Sequence, residues 1–235
     1  MGKIALLDAD QLVHASALKY GTNFLEVLTR ELDGKIAAHL TQSKCSRYRI
    51  FVGSSGRTFR EDLNPEYKAN RTPTPHRHVF RDHLVNNWGA IQCIGYEVDD
   101  AQAMEQNENT ILIHDDKDLL QVPGEHFITE KWRLGKKIRE HEFKTIDPLQ
   151  GLIKVYAQSL IGDLTDNVIG IRGIGVKGAL QRLNPCKTEQ EMYAVCKRIY
   201  KDDNRFHMNM NMLWLWRNFG ECYTMRPIFN ELSQI

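Results

Sequence analysis

Four short apolar runs, three of them leading into carboxylates, constrain this chain most. They are KIALLD (Lys3–Asp8), YRIFV (Tyr48–Val52), AIQCI (Ala90–Ile94) and TILI (Thr110–Ile113). Each has the length and the flanks of a buried parallel strand. A fifth strand is expected at His126–Thr129, and Leu25, Leu28, Leu32, Ile36 and Leu40 follow helical spacing. Strands alternating with helices predict an α/β domain with a mainly parallel sheet. Ligands of such sheets collect at the carboxyl ends of the strands. The acids fall there: Asp8 and Asp10 after the first run, Glu97, Asp99 and Asp100 after the third, Asp115, Asp116 and Asp118 after the fourth. Scattered surface acids do not select strand ends.

At 235 residues and 42% hydrophobic content, the chain holds one large or two modest domains with a sizeable core. No apolar run approaches a membrane span, and the start MGKIALLDAD has no signal-peptide pattern. Cys45, Cys93, Cys186, Cys196 and Cys222 form no CxxC pair, so a reducing cytoplasm is expected and a structural zinc site is not. The net charge of +1 hides an asymmetry. Residues 44–82 carry nine Lys and Arg against four acids, whereas 97–118 carry eight acids against Lys117 alone. A basic strip and an acidic cluster cancel in the sum while serving different tasks. Clustered oxygen donors without ligand-spaced Cys or His favour hard cations such as Mg²⁺ or Mn²⁺.

Beyond Asp147-Pro148 the pattern turns helical, with Leu149, Ile153, Tyr156 and Leu160 on one face. Thr188 and Glu191 have the spacing of a capping box, and MNMNMLWLWRNF reads as core or packing surface. A boundary near 145 therefore separates a sheet region, 1–145, from a helical region, 146–235. The helical region contains IGDLTDNVIGIRGIGVKGA, Ile161–Ala179. Asp163 and Asp166, three apart at an expected helix end, would face one way. Gly170, Gly173, Gly175 and Gly178 follow among apolar residues and Lys177. A Gly-apolar-Gly turn opening a helix presents backbone N–H groups to a phosphate. Taken alone, the glycines read more readily as a tight turn between core helices.

Together these motifs resemble the 5′-nuclease family, which includes the N-terminal nuclease domain of bacterial DNA polymerase I, phage 5′→3′ exonucleases and flap endonucleases. GDLTDN followed by GIGVKGA resembles the family's GDxSDNxPGxxGIGxKTA, with Val168-Ile169 in place of Ile-Pro and Gly178 in place of Thr. LLDAD resembles its V-D-G, EVDDAQA its E-A-D-D, and HDDKDLLQ its D-K-D-L-x-Q. GRTFREDLNPEYKANR, Gly56–Arg71, resembles its GKTFRxELxxxYKxxR. The resemblance implies a PIN-like three-layer α/β/α domain plus a helix-hairpin-helix region. It also implies divalent-metal-dependent 5′→3′ exonuclease or flap endonuclease activity in replication or repair.

By that resemblance Asp8, Glu97, Asp99 and Asp100 serve one metal region, and Asp116, Asp118, Asp163 and Asp166 the other. Two Mg²⁺ ions are implied, with Mn²⁺ as a substitute and K⁺ at the hairpin. Lys68, Arg71 and Asp116 take catalytic roles. Arg57, Arg60, Tyr67, Lys68, Arg71, Gly173, Ile174, Gly175 and Lys177 meet DNA, Tyr67 by stacking on an unpaired base. Arg60 has the alternative of a structural ion pair, and Asp8 that of a helix N-cap. His76, His78 and His83 are expected to face phosphate or solvent. The implied partner is DNA with 5′ ends, flaps or junctions, including RNA primers on DNA. The implied protein is a free-standing monomer resembling a phage replication protein, in the cytoplasm of its host.

Two departures stand against the pattern. Only 25 residues separate Arg71 from Glu97, so any arch there is short. In IFVGSSGRTFR, Gly53 occupies the place of a family aspartate, so one ligand of the first metal region is missing. The alternatives are a junction-binding protein with a degraded metal site and a PIN-like ribonuclease.

Overall fold

Ala5, Leu6 and Leu7 are buried in succession in β1 (Ile4–Asp8), which places this strand inside a sheet rather than at its edge. It pairs in parallel with β2 (Arg47–Gly53) on one side and β4 (Thr110–His114) on the other. β3 (Ile91–Cys93) adds to β2 and β5 (Gly124–Ile128) to β4, both in parallel. With β8 (Glu142–Ile146) the order is β3-β2-β1-β4-β5-β8. β6 (Lys131–Arg133) and β7 (Lys136–Arg139) form a separate antiparallel pair. The computed structural model describes residues 2–13, 25–72, 77–133 and 136–233.

Side chains alternate across a strand, so one sheet needs cover on two faces. Ala5, Leu7, Ile50, Val52, Ile111 and Ile113 cluster with Leu28, Leu32 and Ile36 of α1 (Leu25–Gln42). Phe80 and Leu84 from α3 (Arg77–Trp88) complete that layer. Each fully buried side chain of this size contributes about 1.5–3 kcal/mol. Leu6, Phe51 and Leu112 point the other way, where Gln102 of α4 (Val98–Glu105) donates to Leu6 O at 2.9 Å.

The chain divides into two compact units: Met1–Thr58, Thr72–Asp116 and Gly124–Thr145 form the first, and Phe59–Arg71, Lys117–Pro123 and Ile146–Ile235 the second. The second is built on α5 (Pro148–Ile161), which opens with Asp147 accepting from Gln150 N at 2.8 Å and with Pro148 in its first turn. Val155, Tyr156 and Leu160 pack with Met192, Tyr193 and Cys196 of α7 (Glu189–Tyr200) and Phe206 and Met210 of α8 (Asp203–Leu213). Thr188 and Glu191 form the capping box expected of them. The Met- and Trp-rich tail is core, with Met212, Trp214 and Trp216 buried.

Three details differ from the sequence expectations. The third strand is shorter than Ala90–Ile94, and the fifth starts earlier and ends before Thr129. β8 has no apolar signature, because four of its five residues are exposed. Among the described residues no helix is long and apolar enough to cross a membrane.

Candidate functional site

In the first unit the carboxyl ends of β1 and β4 bring Asp8 and Asp116 into one neighbourhood with Asp10. Asp8 ends its strand and caps the helical residues that follow, its Oδ1 accepting from Asp10 N at 2.8 Å and from Gln11 N at 3.3 Å. Burial pushes the Asp8 carboxyl up to about 7, and the charges of Asp10 and Asp116 add to the rise against those two backbone bonds. Asp10 Oδ2 accepts from Gly53 N at 3.1 Å and pairs with Arg77, while Asp10 Oδ1 is buried without a hydrogen-bond partner. Asp100 belongs to the same surroundings. Burial, then the charges of Asp10, Asp8 and Asp100, push the Cys93 thiol up to about 12 and keep it protonated.

Glu97 and Asp99 sit at the start of α4, where Asp100 Oδ2 accepts from Glu97 N at 3.1 Å. Asp116 is positioned from behind. His114 Nδ1 lies 2.7 Å from Asp116 O, and its Nε2 lies 2.9 Å from His126 Nδ1. Burial, then His126, push His114 down to about 3, so the ring acts as a neutral hydrogen-bonding strut. Asp115, outside the motif match, is held by Arg139 and by Lys131 at 3.2 Å. The ring of His83 is occupied as well, 2.7 Å from Asp33 Oδ1, so it does not face solvent alone. His76 lies outside the described residues.

In the second unit Asp163 and Asp166 do not continue a helix. α5 stops at Ile161 because Gly162 turns to φ 82°, and the chain enters a small antiparallel hairpin of β9 (Gly162–Asp163) and β10 (Val168–Ile169). A Cβ on Gly170 would collide with the backbone of Gly162 and Ile161, so the crossing requires glycine. The two carboxylates then have different partners. Asp163 accepts from Lys117 Nζ at 2.7 Å, Gln158 Nε2 at 3.1 Å and Thr165 N at 2.9 Å. Burial pushes its carboxyl up, but the hydrogen bond and charge of Lys117, with Thr165 and Gln158, outweigh this and hold it below the usual range. Gln158 Nε2 also donates to Asp118 Oδ1 at 2.8 Å, linking Asp118 to Asp163.

Asp166 belongs to a second assembly within the same unit. Tyr67 OH donates to Asp166 Oδ2 at 3.0 Å, Lys68 Nζ stands 3.7 Å from the same oxygen, and Arg71 pairs with Oδ1. The backbone joins too, Lys68 N donating to Asp166 O at 3.1 Å. Asn70 Nδ2 donates to Leu164 O at 3.1 Å and Asn167 Nδ2 to Glu66 O at 2.8 Å. YKANR and GDLTDN are thus two halves of one hydrogen-bonded structure. Asn70 and Asn167 were not singled out from the sequence; only the GDLTDN and YKANR letters signalled them.

Two DNA-contact expectations need correction. Tyr67 is 3% exposed, its ring packed in the second core and its hydroxyl on Asp166, so it is not presented for base stacking. Arg60, in α2 (Phe59–Leu63), is fully buried, with Nε donating to Met212 O at 2.9 Å and Nη2 to Trp214 O at 2.7 Å. It fastens the tail of its unit instead of meeting phosphate. Arg57 is exposed. Gly173, with φ 85°, and Gly175, which caps α6 (Val176–Leu183) in an extended conformation, are exposed beside Lys177, with Ile174 half-buried. A Cβ at either glycine would meet no atom within 4 Å. The turn's carbonyl side is anchored from α8, Arg205 donating to Gly170 O at 2.6 Å and Asn209 to Ile169 O at 2.9 Å. Among the described residues no three His, Cys, Asp or Glu side chains are grouped closely enough to hold a metal ion as they stand.

No protein-family profile matches the chain. It is 31% identical over 212 residues to a 5′-3′ exonuclease of Mycoplasmopsis pulmonis, covering 81% of this chain and 69% of that protein. It is 33% identical over 158 residues to DNA polymerase I of Chloroflexus aurantiacus, covering 58% of this chain but only 16% of the polymerase. A mutant of the bacteriophage T5 5′-exonuclease superposes with a TM-score of 0.66 at 12% identity, covering all of this chain and 97% of that one. The T5 flap endonuclease in a pseudo-enzyme-product complex with DNA and metal ions gives a TM-score of 0.53 at 13% identity, covering 98% and 96%. The six-stranded α/β architecture is therefore the fold of those nucleases.

Proposed function

The chain belongs to the 5′-nuclease family of 5′→3′ exonucleases, and from that premise we propose that it is a divalent-metal-dependent nuclease acting near DNA 5′ ends and at single-strand/duplex junctions. The observation that carries the proposal is the gathering of the half-buried carboxylates Asp8, Asp10 and Asp116 at and just beyond the carboxyl ends of β1 and β4. These donors are carboxylate oxygens, and Asp10 Oδ1 is buried without a donor of its own. They fit a hard cation, Mg²⁺ or Mn²⁺, better than zinc. The residues that would hold such ions are Asp8, Glu97, Asp99, Asp100 and Asp116 in the first unit, and Asp118, Asp163 and Asp166 in the second.

When bound, a divalent cation supplies activation of the attacking water and stabilisation of charge on the leaving oxygen. The chain's own groups bind and orient the substrate. Lys68 and Arg71, side by side on Asp166, offer two positive charges to the reacting phosphate. The exposed turn from Gly173 to Lys177 takes a duplex phosphate on the N–H groups opening α6. The second unit thereby supplies the DNA grip together with Asp118, Asp163 and Asp166, and it includes 59–71 and 117–123 instead of beginning near 145 as the sequence suggests.

The test is incubation with 5′-labelled flap, nicked and single-stranded DNA in Mg²⁺, with chelator as the control. Cleavage near the 5′ end or the junction, abolished by chelator, is expected. Cutting that survives chelation, or DNA binding with no cutting in Mg²⁺ or Mn²⁺, overturns the proposal.

A further inference from the structure

Gly53 ends β2 in register with Cys93, two residues beyond the pairing of Phe51 with Asp8. A side chain at this position would enter the acidic neighbourhood of the first unit, and that space is filled. A Cβ built on Gly53 would run into Arg77 Nη2 and stand 2.6 Å from Asp10 Oδ2. Gly53 does not adopt a left-handed backbone, and the atoms a Cβ would meet are the movable ends of two side chains, so glycine here leaves the space to Asp10 and Arg77 without being imposed by the backbone. The occupant is a carboxylate arriving from a different strand end. Asp10 reaches across from the helical residues after β1, with Oδ2 fixed by Gly53 N at 3.1 Å and by Arg77. Its other oxygen, Oδ1, is buried and has no hydrogen-bond partner.

Resting on the metal-dependent reading above, we propose that Asp10 supplies the divalent-metal site with the carboxylate that β2 lacks, and that Gly53 leaves room for it. Oδ1 is the ligating oxygen. Gly53 N and Arg77 bind Oδ2 and fix the carboxylate's orientation, the part that outer partners of a metal-binding carboxylate play. Arg77 also offsets one negative charge of the Asp8, Asp10 and Asp116 group, so the site assembles with less self-repulsion.

The experiment measures Mn²⁺ affinity directly, by the electron paramagnetic resonance signal of free Mn²⁺, without DNA or turnover. It compares the wild-type chain with Asp10→Ala, Asp10→Asn, Gly53→Asp and the double variant Asp10→Ala/Gly53→Asp, each checked for fold by circular dichroism. Asp10→Ala and Asp10→Asn are expected to weaken Mn²⁺ binding at least about tenfold, the lower end of what loss of a supporting metal contact produces. Asp10→Asn keeps an oxygen for Gly53 N, so its loss reports charge and ligation instead of packing. The double variant, with the carboxylate moved to residue 53 and the space cleared, is expected to recover most of the affinity. Gly53→Asp alone is expected to bind Mn²⁺ no more tightly than the wild type, because Asp10 already supplies the carboxylate and a second one beside it adds repulsion. Asp10 variants that fold and bind Mn²⁺ as the wild type does, or a double variant no better than Asp10→Ala, overturn this inference and leave the nuclease reading intact. A wild type that binds no Mn²⁺ and cuts no DNA overturns both.

Discussion

Lys68 adopts φ 54° although it is not glycine, a conformation that costs about 1–3 kcal/mol and persists only where surroundings impose it. Its N–H on Asp166 O and the Asn70 and Asn167 bonds on either side do so. The side chain, 20% exposed, thereby holds its ammonium beside Asp166 and does not leave it to roam. Lys68→Ala is predicted to slow single-turnover cleavage by about 100-fold, or ~3 kcal/mol in the transition state, with a smaller effect on DNA affinity. An unchanged rate with weakened binding would reduce Lys68 to an ordinary phosphate contact. Arg60 belongs to the opposite class. Arg60→Met leaves two buried carbonyls, Met212 O and Trp214 O, without their donor. It is predicted to lower stability by about 1–3 kcal/mol in urea unfolding while leaving the affinity of folded protein for DNA unchanged. Weaker DNA binding at unchanged stability would restore it to the interface.

The hairpin elements of the second unit make separate claims. Gly175→Val puts a branched side chain where N–H groups open toward solvent, so weaker binding to DNA with a duplex arm and little change on short single strands are predicted. Equal losses on both would place the duplex grip elsewhere. Elements were legible wherever local pattern decides them. β1, β2 and β4 announced themselves as buried runs, and α5 and α7 through their caps and apolar faces. β8 was invisible because an exposed polar strand leaves no periodic trace. The helix through Asp163 was expected from apolar spacing, and Gly162 overrode it by turning left-handed. Tyr67 and Arg60 differ for another reason. Their DNA contacts were implied by the resemblance of the motif, which does not show burial, and that burial depends on Asp166, Met212 and Trp214, roughly 100 to 150 positions away. The strand-end carboxylates were readable because sheet geometry alone sends them there.

For the molecule as a whole, each unit carries its own acidic group, set among groups of its own chain. Asp8, Asp10 and Asp116 share the first, with Arg77 as a counter-ion; Lys117 meets Asp163 in the second, where Lys68 and Arg71 meet Asp166. The central claim is that these carboxylates serve cleavage and not DNA binding or folding. Asp116→Asn and Asp163→Asn remove charge with little change of shape, the first in one unit and the second in the other. The most direct measurement is single-turnover cleavage of a 5′-labelled flap in Mg²⁺ by wild type and both variants, with binding to the same DNA followed in chelator. The account predicts that wild type cuts near the junction, that both variants bind with nearly wild-type affinity, and that cleavage falls by at least about 100-fold in each. Either variant cutting at close to the wild-type rate would contradict it.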